Sequence, residues 1–143
     1  MQRKPLDRDL SVSGQLRPAD LAGLAGKGVR SIINNRPDGE MPDQPPGASI
    51  EAEARRLGLD YRHIPVIQGE WDRSTVEAFA DALRELPCPI HAYCRSGMRS
   101  TTMWAMQACA RGAPVEQVMS SARQAGYDLA PLYDSLCKAG GKA

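Results

Sequence analysis

Short apolar blocks alternate along the chain with longer stretches whose apolar positions repeat at helical spacing. Residues 9–14, DLSVSG, alternate apolar with polar positions and predict a first or edge strand. Pro18 suits the first turn of a short helix that runs to about Lys27. Residues 28–33, GVRSII, predict a second strand; it stops at the turn formers 34–40, and prolines extend the loop to about Ala48. A helix over 49–57, ended by Gly58, leads to a third strand candidate over 59–66. Ser74-Thr75-Val76-Glu77 matches a capping box with Ser74 as the cap, and Val76, Phe79, Ala80 and Leu83 make one apolar helical face. Residues 89–93 predict a fourth strand, apolar enough to be covered on both sides, and Cys94 follows it directly. Helices are predicted from Ser100 to about Ala110, from Pro114 to near Gly126, and over the remainder to Lys138, with the GGKA end fraying.

Strands alternating with helices predict a single α/β domain over 1–143, its core spanning about 7–138. The sheet is expected to be four- to five-stranded, mainly parallel and flanked by helices. Ligand sites of such sheets lie beyond the carboxyl ends of the strands, which singles out the loops 34–40 and 94–100. The 143 residues, 42% apolar and 24% charged, suffice for one core and exclude a disordered chain. A net charge of +1 provides no global field for nucleic acid or an anionic membrane, so any anion site must be local. No apolar run approaches the ~18 residues of a spanning helix, and MQRKPLDRDL lacks the apolar stretch of a leader; a soluble, cytoplasmic protein is expected.

The four cysteines, at 88, 94, 109 and 137, include no C-x-x-C pair, and the two histidines stand at no ligand spacing, so no metal is expected. If 89–93 is a strand, Cys88 and Cys94 lie ~20 Å apart, too far for a disulfide. Cys94 stands out by its setting. A strand, a thiol, a turn containing Gly97, and a helix opening at Arg99 and Ser100 form a recipe for an anion cradle. Backbone N–H groups from Arg95 through Ser96, Gly97 and Met98 to Arg99 can converge on one centre, with the positive end of the helix behind them. That field favours a thiolate, Ser100 can donate to the sulfur, and Arg99 offers a fixed fork to an oxyanion. Cys109, ~15 Å further along a helix, and His63 and His91, within strands, read as packing residues. Arg95 is a surface arginine or a contact for an anionic substrate.

The segments LSVSGQLRPADL, GVRSIINNRPDGE, GLDYRHIPV and AYCRSGMRS, in this order, resemble a bacterial phosphatase-like family. Its members occur alone or fused to beta-lactamase-like persulfide dioxygenase and sulfide:quinone oxidoreductase domains. The resemblance covers nearly all of 7–130 and implies the fold of cysteine-dependent protein tyrosine phosphatases, with Cys94 as nucleophile and Arg99 as anion ligand. INNRPDGE is its second signature and brings Asn35, Arg36 and Asp38 toward the pocket.

Tyrosine phosphatases carry His-Cys and five residues before their arginine; here Tyr93 precedes Cys94 and only four residues separate it from Arg99. C-R-S-G-x-R-S resembles the active loop of rhodanese sulfurtransferases, and a shorter ring suits one sulfur atom better than a phosphoryl group. The expected activity is therefore sulfur transfer through a Cys94 persulfide, with no cofactor. The implied donor is glutathione persulfide or thiosulfate, and the implied acceptor is sulfite or a thiol. The resemblance implies a persulfide dioxygenase or sulfide:quinone oxidoreductase as partner. The alternatives are a phosphatase working through a Cys94 phosphocysteine, with Asp72 of Trp71-Asp72 or else Asp38 as general acid, and a non-catalytic persulfide carrier.

Overall fold

Leu10 and Val12, Ile33, and Ile90 with Ala92 alternate with residues that point to the opposite face, so two-residue periodicity gives the central sheet two apolar sides. The computed structural model describes residues 1–141; the last two residues of the GGKA end, where fraying is expected, lie outside the described residues. Five strands form the sheet: β1 (Lys4–Pro5), β2 (Leu10–Ser13), β3 (Ser31–Asn34), β4 (Asp60–His63) and β5 (Ile90–Tyr93). Their order is β1-β2-β5-β3-β4, parallel except for the antiparallel β1–β2 pair. This is the expected single α/β domain, with one correction. The first predicted strand is not an edge, because Lys4–Pro5 pairs along its outer side.

A 3-10 turn at Pro18–Asp20 leads into α1 (Leu21–Gly26). Together with α2 (Gly47–Arg56) it covers one face, where Leu21, Leu24, Ile50 and Ala54 pack on Ile32 and Tyr93. The other face carries α3 (Arg73–Glu85), α4 (Met98–Ala110), α5 (Val115–Gln124) and α6 (Tyr133–Ala139), with Phe79, Met103, Trp104, Val118 and Leu136 in one cluster. Helix α4 starts two residues before the predicted Ser100. Helix α3 is capped by Asp72, whose carboxylate accepts from Thr75 N–H at 3.1 Å, and not by Ser74. No described helix is long and apolar enough to cross a membrane.

The register decides where function can sit. Ser13 and Asn34 both pair with Tyr93, and Asn34 also pairs with His63, so four parallel strands end in one row. Beyond that row lie the segments 14–17, 35–40, 64–66 and 94–99, far apart in sequence and adjacent in space.

His91 is fully buried in β5, between Ser11 Oγ at its Nδ1 and Ser13 Oγ at its Nε2, each 2.8 Å away. Ser13 donates its hydroxyl to Gly14 O and Ser11 accepts from Arg3 Nε, which together assign the ring hydrogen to Nε2. Burial, with a smaller contribution from Arg3, drives the His91 pKa from 6.5 to about 3. The unfolded chain therefore takes up a proton near pH 6.5 that the folded chain refuses. Stability should be undiminished above pH 6.5 and fall as pH drops toward 3, by up to ~1.4 kcal/mol per pH unit from this group. Urea unfolding at pH 7.5 and pH 5 should show this loss, and His91→Asn should show less of it.

Candidate active site

Cys94 leaves β5 fully buried, at the floor of a turn that closes into α4. Gly97 is the pivot: its φ of 96° lies in the left-handed region, and its N–H donates to Cys94 Sγ at 3.1 Å. Met98 N–H is taken by Ser96 Oγ at 3.3 Å. The N–H groups of Arg99 and Ser100 fall in the first helical turn, where a helix supplies no partner of its own. They are uncommitted backbone donors beside the sulfur, an arrangement that can hold an anion.

The turn is braced from outside. Gln15 N–H donates to Arg95 O at 3.2 Å, and Tyr127 Oη–H donates to Ser96 O at 2.9 Å. Burial and the nearby Cys94 raise the pKa of the Tyr127 phenol, which keeps its hydrogen for that bond. A Cβ on Gly97 would collide with Tyr127 Oη and lie 2.8 Å from its ring. Gly97→Ala should therefore cost backbone strain and steric displacement together, about 2 kcal/mol or more. Gly112→Ala, with φ of 101° and open space around it, should cost about 1 kcal/mol by strain alone. Equal urea midpoints for the two variants would contradict this brace.

Arg99 is 6% exposed and anchored end-on. Its Nη1 donates to Glu40 Oε2 at 2.7 Å and to Val66 O at 2.8 Å, and its Nη2 donates to Glu40 Oε1 at 2.9 Å. Three of the five guanidinium N–H groups are thus committed. The remaining Nε–H and second Nη2–H share one edge and form a side-on fork for two oxygens of an anion. Hydrogen bonding to Glu40 raises the Arg99 pKa further, burial opposes it, and Cys94 adds to the rise, which places the thiol beside the guanidinium. Glu40 receives Arg36 Nε as well, at 2.8 Å; bonding to Arg99, against partial desolvation, and then to Arg36 lowers its pKa to about 2. Glu40 is the residue that reading the signature did not select, although it is the last letter of INNRPDGE.

The other sequence-selected residues divide. Asn35, fully buried, donates from Nδ2 to Ile64 O at 2.9 Å and accepts Ser100 Oγ–H at 2.8 Å, pinning the second signature to α4. The expected Ser100–sulfur bond is accordingly not formed, since the single hydroxyl hydrogen goes to Asn35. Arg36 reaches the site through Glu40. Asp38 turns away and accepts Gly47 N–H at 2.7 Å at the start of α2. Asp72 also departs from its expected role: Ser74 Oγ–H and Thr75 lower its pKa, so it is an ionised helix cap rather than a proton donor. It lines a separate cavity with Trp71, Val76 and Met106. Both suggested acids are thus engaged at helix starts, Asp38 at α2 and Asp72 at α3.

The family model for the phosphatase-like domain of beta-lactamase hydrolase-like proteins matches residues 3–111. The beta-lactamase hydrolase-like protein of Xylella fastidiosa (strain Temecula1 / ATCC 700964) is 34% identical over 125 residues, which are 87% of this chain and 29% of that protein. The chain thus spans less than a third of the curated relatives it matches. The crystal structure of a candidate phosphatase from Neisseria meningitidis Z2491 superposes with a TM-score of 0.88 at 34% identity, covering 95% of this chain and 96% of that one. The core catalytic domain of the PP-IP phosphatase SIW14 from S. cerevisiae, in complex with citrate, has a TM-score of 0.71 at 11% identity, over 95% and 83% of the two chains, a likeness of fold.

These findings overturn the expectation of sulfur transfer: the matched family is phosphatase-like, and so is the relative similar in both sequence and structure. The physical reason lies in the turn. Residue count alone does not say what the turn can hold, because Glu40 and Val66 O take Arg99 end-on and leave two of its donors on one edge, next to a helix that starts directly after Gly97.

Proposed function

This chain belongs to the family of phosphatase-like domains of beta-lactamase hydrolase-like proteins, and on that premise we propose that it is a cysteine-dependent phosphomonoester hydrolase. The observation that carries the reading is the side-on edge of Arg99, not taken by Glu40 or Val66 O and turned to the Cys94 sulfur. Two phosphoryl oxygens rest on Nε and Nη2, and backbone N–H groups at the start of α4 hold the remaining charge. Cys94 Sγ attacks phosphorus as the ester P–O bond breaks, which gives S-phosphocysteine and an alkoxide or phenoxide that takes its proton from solvent. Water then attacks the phosphorus, the P–S bond breaks, and orthophosphate leaves with the thiolate restored. Atoms and charge balance without a cofactor.

With Asp38 and Asp72 both committed as acceptors, substrates whose leaving group needs no proton donor are the ones to test. p-Nitrophenyl phosphate should release nitrophenol and orthophosphate in equal amounts, and acid quenching within a turnover should trap phosphate on Cys94. Nitrophenol release without label at Cys94 would sink the covalent mechanism.

A further inference from the structure

Beside the cradle lies a cavity of about 290 Å³ whose walls include Gln15, Arg17, Arg36, Arg95 and Asp43. It belongs to the same row of strand ends. Gln15 N–H is bonded to Arg95 O, and Gln15 Oε1 accepts Arg36 Nη1 at 2.9 Å, so the segment after β2, the second signature and the cysteine turn meet here.

Three guanidiniums face this space and only one carboxylate does. Arg36 is 4% exposed, and after Glu40 and Gln15 have taken Nε and one Nη1 hydrogen, its Nη2 and the other Nη1 hydrogen are uncommitted. Arg17 and Arg95 form no ion pair among the described residues. Glu40 is shared between Arg36 and Arg99, so the cradle and the cavity together hold four guanidiniums against Glu40 and Asp43. Holding like charges together this way costs Coulomb energy that a bound anion returns. The cavity's volume of about 290 Å³ is ample for a phosphate group.

Resting on the phosphatase reading, we propose that this cavity receives a second phosphoryl group of the substrate while the scissile one occupies the Cys94–Arg99 cradle. The substrate class is then a small molecule carrying two phosphates. Arg17 and Arg36 grip the distal phosphate, and Arg95, at the cradle's own rim, separates the two groups.

The test compares phosphate release from 3-phosphoglycerate with 2,3-bisphosphoglycerate, and from fructose 6-phosphate with fructose 1,6-bisphosphate, in wild type and Arg17→Gln. At least one bisphosphate should exceed its monophosphate in kcat/KM by about tenfold, the worth of one charge-assisted hydrogen bond. Arg17→Gln should remove that preference mainly through KM and leave p-nitrophenyl phosphate turnover unchanged. Calorimetry with Cys94→Ser gives a readout free of turnover: inorganic pyrophosphate should bind about tenfold more tightly than orthophosphate, and Arg17→Gln in that background should abolish the difference. Equal kcat/KM for both members of each pair, or pyrophosphate binding indifferent to Arg17, overturns the second site while aryl phosphate turnover leaves the phosphatase reading standing. If no phosphoester is hydrolysed, the reading itself fails and the calorimetric comparison still decides the cavity.

Discussion

Cys94→Ser is expected to lower p-nitrophenyl phosphate turnover by roughly 10³-fold or more, because a serine hydroxyl lacks the ready anion of a thiol and no neighbouring base is placed to create one. Ser100, in the first turn of α4, gives its hydrogen to Asn35, and Glu40 is saturated by Arg36 and Arg99. The substitution is nearly isosteric, and an oxygen at this position can still accept from Gly97 N–H. The fold and the anion site should therefore persist: the urea midpoint should move little, and orthophosphate should still bind. This pairing of a dead enzyme with an intact site gives the result its meaning. Turnover that survived in the variant would mean that Cys94 is not the nucleophile, whereas loss of both turnover and phosphate binding would mean only that the turn had collapsed.

Much of this architecture could be read from local pattern. The alternation of strands and helices, the two loops beyond the strand ends, and the thiol–glycine–arginine turn each depend on neighbours within a few residues. What escaped depends on distance or competition. Glu40 and Arg99 stand 59 residues apart, and only the pairing of β3 with β5, which sets Asn34 beside Tyr93, brings them together. Asp72 and Ser74 both fit the start of α3, and the carboxylate prevails because it accepts from the Ser74 and Thr75 hydroxyls and the Thr75 N–H at once. The four-residue spacing misled for a similar reason, since counting residues says nothing of how Glu40 and Val66 O, both distant in sequence, orient Arg99. Arg17 carried no signal at all until the segment after β2 was seen against Arg95.

The second large effect is expected at Arg99. Arg99→Lys keeps the charge but loses both forks, the end-on pair that fixes it to Glu40 and the side-on pair that meets the phosphoryl oxygens. A point charge on a flexible stem should lower kcat by about 10²- to 10³-fold, as removal of a preorganised oxyanion donor does. Glu40→Gln tests the other end of the same pair. The side-on donors remain, but one anchoring carboxylate oxygen becomes an amide NH₂ facing a guanidinium, and kcat should fall by about tenfold or more with a smaller change in KM. Acting through one guanidinium, the two substitutions should be non-additive: in the Arg99→Lys background Glu40→Gln should cost little further. The pair also has a pH signature. A carboxyl held at about 2, below the 4.5 of a free glutamate, contributes stability above pH 4.5 that disappears as pH falls through about 2. Arg99 should stay anchored through any acid limb of the rate profile above pH 4, so that Glu40→Gln lowers the plateau without moving the limb. A limb displaced by Glu40→Gln would instead make Glu40 a titrating participant in the chemistry, and the positioning role argued for it would be wrong.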